Sequence, residues 1–162
     1  MGPASSADLL KARVKGGRLE AGLICAVGLT ACSWSLHVAA EHGHTERVLA
    51  LLDQGTEVNQ LDPNGLTALH YAAAEGHLDT VRALLERGAD VNGRGDHTAT
   101  PLHYAANNGH FEVVRLLVDR GAEVKRRPRG LLFRGKSAAE VAEWKGHLEF
   151  ARYLREAEAR AN

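Results

Sequence analysis

Nine histidines and two cysteines are the side chains here with chemistry for holding a metal or driving a reaction. Neither set is spaced for it. Cys25 and Cys32 have no ligand-type neighbours around them, so they form neither a zinc site nor a disulfide framework. Seven of the histidines are periodic: His37, His70 and His103 fall 33 residues apart, and His44, His77, His110 and His147 each follow a glycine. Only His42 and His97 are left over. A metal centre needs ligands that converge and a second layer that orients them. Nor is there a Ser or Cys nucleophile set beside a base and an orienting acid, or a phosphate-cradling glycine loop. The chain reads as non-enzymatic, with no catalytic residues, no metal and no cofactor.

The remaining chemistry is charge. Overall it balances, with 20 basic and 20 acidic residues, so no whole-molecule field favours nucleic acid or an anionic membrane. One stretch departs from this: KRRPRGLLFRGK, residues 125–136, holds six Lys or Arg and no acid. It reads either as a solvated loop tip or as a contact arm for an acidic protein surface or phosphate groups. Leu131, Leu132 and Phe133 would then be an apolar anchor between arginines. KRRPR also resembles a nuclear-import signal. Nucleic acid is disfavoured, because one loop supplies few phosphate contacts and no stacking platform.

These residues are positioned by a repeat. SLHVAAEHGHTERVLALLDQGTEVN from Ser35, ALHYAAAEGHLDTVRALLERGADVN from Ala68 and PLHYAANNGHFEVVRLLVDRGAEVK from Pro101 align without gaps at a step of 33. Leu36, Leu69 and Leu102 fall in phase, as do Gly43, Gly76 and Gly109. A fourth copy realigns at Gly146, 37 residues after Gly109, so four residues are inserted before it. Each unit predicts two short helices. Thr100-Pro101 supplies a helix N-cap and a first residue whose missing N–H costs nothing. Gly109 is placed to end that helix in a left-handed conformation. Val114, Leu117 and Val118 give the second helix one apolar stripe, repeated by Val81, Leu84 and Leu85 and by Val48, Leu51 and Leu52. Paired alanines at 39–40, 72–73 and 105–106 let neighbouring units approach closely. One unit cannot bury its apolar face alone, so several must stack.

TPLHYAANNGHFEVVRLLVDRGAEV and ALHYAAAEGHLDTVRALLERGADVN resemble the ankyrin repeat, and roughly three quarters of the chain is covered. The resemblance implies an all-α solenoid of about four repeats, with β-hairpin fingers at 57–66, 90–99 and about 123–136, behind a degenerate N-terminal cap. The repeats would run about 35–61, 62–94, 95–127 and 128–154, with 155–162 as a polar end. It also implies structural hydrogen bonds for the repeated histidines. Asn59 and Asn92 would close their fingers, and asparagines so placed can be hydroxylated in animal proteins. Members of this family bind proteins, and small ones include inhibitors of kinases and transcription factors. Binding is mainly through finger tips and the exposed end of each first helix. On this sequence those positions include Asn64, Leu66, Asp96, His97, Glu75, Asn107, Asn108 and Trp144, joined by Arg127, Arg134 and Lys136 of the basic run. Trp144 is expected to be covered by Phe133 rather than to stand free as an anchor. The expected partner is a protein of acidic or mixed surface, met as an adaptor or a stoichiometric inhibitor. The chain is expected to be a cytoplasmic or nuclear monomer.

The first 34 residues depart from the repeat. LICAVGLTAC could be the apolar core of an export signal with Cys32 as a lipid anchor, which would tether the module to a membrane. Against this, the first sound repeat starts about three residues after Cys32, leaving no linker. The preferred reading is that LICAV is a buried helix of the cap. A designed, consensus-like scaffold would fit the regular middle units but not this irregular opening.

Overall fold

The structure, a computed structural model, describes residues 35–95, 98–129 and 132–161. Residues 34–162 form one compact unit. The described residues hold eight helices in four pairs: α1 (Leu36–Glu41) with α2 (Thr45–Asp53), α3 (Ala68–Glu75) with α4 (Leu78–Glu86), α5 (Pro101–Asn108) with α6 (Phe111–Asp119), and α7 (Ala138–Trp144) with α8 (Leu148–Arg160). The first helices stack on one another in the order α1, α3, α5, α7, and the second helices form a layer beside them.

The first helices start alike. Thr67 caps α3 and Thr100 caps α5, each in a reciprocal box closed by the histidine three residues on, His70 or His103. In the fourth pair, Ser137 and Glu140 form the equivalent box. Pro101 sits in the first turn, where no backbone donor is needed. Gly76 and Gly109 end α3 and α5 at φ of 79° and 83°, a region that costs most other residues strain.

Packing follows from side-chain size. Ala39, Ala40, Ala72, Ala73, Ala105 and Ala106 are all fully buried, and their small volume lets the first helices lie close together. Leu69, Leu102, Val48, Val81, Leu84, Val114 and Leu117 complete the core. The stripe predicted for the second helices is thus the face that packs, while Val118, Leu51, Leu52 and Leu85 sit at its half-buried margin. A hydroxyl pair, Thr45 and Thr80 at 2.7 Å, ties α2 to α4. Arg87 reaches Asp53 at 2.6 Å across the same seam, but both are exposed and such a pair adds little.

The fingers differ from β-hairpins. Among the described residues no strand is present, because each tip is closed by too few ladder bonds. The Asp62 N–H donates to Leu66 O and the Gly95 N–H to Ala99 O, both at 2.9 Å. The four-residue insertion falls in the third finger, where Phe133 turns inward against His103 and Tyr104.

Candidate functional site

The histidines are accounted for by stacking. The Nδ1 atoms of His70 and His103 accept from the Thr67 and Thr100 N–H groups at 3.1 and 3.3 Å. Nε2 therefore carries the proton, and it donates to Ala99 O from His70 and to Arg126 O from His103. Both rings are buried, and burial pushes each down from 6.5 to about 4, against the opposing pull of those carbonyls. They are neutral struts between helix and finger. His37 makes the equivalent contact to Gln60 O at 2.9 Å.

The second histidine series bridges units. His77 Nε2 lies 2.9 Å from Glu41 O and His110 Nε2 lies 2.9 Å from Ala74 O, each a carbonyl at the end of the preceding first helix. Each ring also covers the preceding glycine. A Cβ on Gly43 would lie 2.6 Å from the His77 ring, and one on Gly76 would strike His110. The helix-ending glycines are thus required twice, for positive φ and for the ring above them. Among the described residues no three His, Cys, Asp or Glu side chains converge as metal ligands.

Asn59 and Asn92 do not close their own fingers. Asn59 accepts from the Asp90 N–H at 2.8 Å and donates to Gly88 O, and Asn92 accepts from the Glu123 N–H at 2.7 Å and donates to Gly121 O. Each binds the following unit, because its side chain lies against the next loop rather than its own. The third position of this series is Lys125. The first fingertip is organised instead by Asp62, whose carboxylate accepts from Tyr71 OH, the Leu66 N–H and both nitrogens of Asn64. Burial pushes its carboxyl up, but these four bonds outweigh that and hold it low. The Asp-x-Asn-Gly run at 62–65 signalled such a turn in the sequence.

Trp144 is not covered by Phe133. Phe133 is 2% exposed, spent on Ala99, Tyr104 and Val141, and so is not an anchor tip. Trp144 is 59% exposed, with Lys145 Nζ 4.8 Å from its ring, and Leu148 beyond it is 70% exposed. The insertion packs between Tyr104 of α5 and Val141 of α7, short of the end of α7, which leaves the tryptophan open. Leu132 stays exposed at the finger tip, while Leu131 lies outside the described residues.

The basic run is partly neutralised. Arg127 donates to Gly135 O and to Glu140 at 2.8 Å, and the hydrogen bond from the Ser137 N–H, then Arg127 itself, holds the Glu140 carboxyl low. Arg126 pairs with Glu123 at 2.8 Å. Where this finger leaves the stack there is a cleft of about 770 Å³, lined by Arg94, Lys125, Arg126, Arg127 and Arg129, with Glu123 as the one carboxylate among the described lining residues. Arg94 was not among the residues singled out from sequence; it lies some 30 positions from the basic run and joins it through the stacking of fingers.

The remaining candidates scatter along the units. Glu75, Asn108 and Arg134 are exposed; Lys136, Leu66 and Asn107 are half-buried. Asn108 donates to Ala74 O at 2.6 Å, again joining two units, and Asn64 is committed to Asp62. Asp96 and His97 lie outside the described residues, as does the whole 1–34 segment with Cys32. No helix among the described residues is long and apolar enough to cross a membrane.

No curated protein matches the chain. A family model for ankyrin repeats in three copies matches residues 36–128 and 98–162. With the capped first helices, the left-handed glycines and the stacked pairs already in place, this shows that the chain belongs to the ankyrin-repeat family.

Proposed function

We propose that this chain is a non-enzymatic binding module that holds one protein partner, as an adaptor or a stoichiometric inhibitor, in the cytoplasm or nucleus. Ankyrin repeats in general mediate contacts between proteins. The observation that carries the reading here is the bare Trp144. A tryptophan that exposed, next to the equally open Leu148, is unsatisfied apolar surface at the end of a first helix. Residues 35–154 provide the binding body, and the protein is a monomer until it meets its partner. Glu75, Asn107, Asn108, Arg127, Arg134 and Lys136 supply a polar rim, with the fingertips Asn64, Leu66, Asp96 and His97 completing the contact.

The test is retention of partners by the immobilised full chain from the source lysate, read by mass spectrometry beside a Trp144→Ala variant. A protein kept by the native chain and lost by the folded variant supports the reading. No protein retained above a blank matrix would sink it.

A further inference from the structure

We propose that the cleft at the base of the third finger receives an extended acidic segment of the partner protein, gripped by Arg94 and Arg129. This rests on the protein-binding reading above and assigns a second, separate contact to it.

The cleft has a structural origin. Asn59 and Asn92 each clamp their loop to the next one, filling the gap between successive fingers. At the third position the residue is Lys125, and α8 runs on to Arg160 instead of turning into another loop. A cleft lies at this position, with Lys125 and Ala161 on its wall.

Its charge is unbalanced. Glu123 is engaged by Arg126, and Arg127 by Glu140, so those pairs cancel. Arg94 and Arg129 are both exposed and meet no carboxylate among the described residues. Two guanidiniums thus face one concavity with no carboxylate paired to them among the described residues. The Arg129 N–H donates to Thr98 Oγ1 at 3.0 Å and ties the third finger to the second. Preorganisation of this kind lowers the ordering cost of binding.

The lining also selects the class of ligand. None of it is aromatic, so nucleotide bases would find no stacking surface. Ala122, Val124 and Ala161 give the floor an apolar share that suits side chains between acidic residues. The site is concave, which suits a strand of peptide better than a flat lipid surface.

The experiment is an anisotropy titration of the full chain with a fluorescein-labelled peptide of alternating Glu and Ser. The same peptide with Lys for Glu, and an oligothymidylate of equal charge, are run beside it. The Arg94→Glu/Arg129→Glu variant is compared with Arg115→Glu/Arg152→Glu, which makes the same change of charge on α6 and α8. Thermal melting confirms that both are folded. We expect the native chain to prefer the acidic peptide, the cleft variant to lose at least about tenfold in affinity, and the control to stay within about twofold. Equal losses in both variants, no binding by the native chain, or tighter binding of the oligothymidylate would each overturn the proposal. A partner captured from lysate and kept by the cleft variant, but lost by Trp144→Ala, would remove the cleft and leave the protein-binding reading standing.

Discussion

Phe133 meets Tyr104 edge-on, with ring centroids 5.3 Å apart and planes at 89°. The contact joins the tip of an insertion to a helix almost thirty positions earlier, and it turns the most basic loop of the chain into a fixed element. The ring leans on His103 as well, at 5.6 Å. An aromatic residue that sequence alone offered as a binding anchor is therefore a structural one.

Phe133→Ala should accordingly lower stability by about 3–5 kcal/mol, the usual cost of emptying a buried aromatic site. Trp144→Ala should stay within about 0.5 kcal/mol, as for an exposed residue. Urea unfolding of the two variants checks this, and comparable losses in both would reverse the assignment of roles.

Acid should destabilise the stack before it touches the carboxylates. His70 and His103 hold a proton at about 4 in the folded chain, against 6.5 when released. Above 6.5 both states are neutral and nothing changes. Between 6.5 and 4 the unfolded chain binds protons that the folded one refuses, so stability falls. Each ring contributes up to about 1.4 kcal/mol per pH unit there, and the loss levels off below 4. A His70→Gln/His103→Gln variant, compared by melting from pH 7 to 4, should show a flatter profile. An unchanged slope would mean that these rings titrate normally.

Gly76 and Gly88 should respond differently to the same methyl group. Both have positive φ, 79° and 85°, so alanine is strained at either. At Gly88 the added Cβ enters open space, whereas at Gly76 it strikes the His110 ring. Gly76→Ala should cost roughly 1–3 kcal/mol more, an overpacking penalty. Adding His110→Ala should shrink that excess. If the double-mutant cycle shows no coupling, the ring does not rest on the glycine.

Asn92→Ala removes an acceptor from the Glu123 N–H and a donor to Gly121 O. About 1–2 kcal/mol should be lost, with a similar loss for Asn59→Ala. Equilibrium unfolding of the two variants checks this, and no measurable loss in either would refute the bridging role of the asparagines.

What sequence revealed was whatever is encoded within about a dozen residues. The Thr100-Pro101 start, the glycine stops and the stripe of Val81 and Leu84 depend on local spacing, and all appear as read. Contacts a whole repeat away were hidden. The asparagines looked like fingertip closures because their partners, Asp90 and Glu123, are 31 residues on. Phe133 looked exposed because its burial depends on which way an insertion folds. Arg94 looked unremarkable because its basic neighbours arrive only when fingers stack side by side.

The replacement of asparagine by Lys125 also bears on how the molecule comes apart. The bridges between units span a single repeat, and no bond ties the first pair of helices to the last among the described residues. Seams between such units break one at a time. At the last seam Lys125 stands at the asparagine register, Phe111 stacks on Phe150, and His147 covers Gly109 without the carbonyl bond that His77 and His110 make. Opening of the α7–α8 pair therefore breaks no histidine–carbonyl bridge, and its amides should exchange faster than those of α3 to α6. Trp144 lies on this loosest unit and Arg94 on a firm one. A partner that grips both would splint this seam, and binding would register as slowed exchange across α7 and α8.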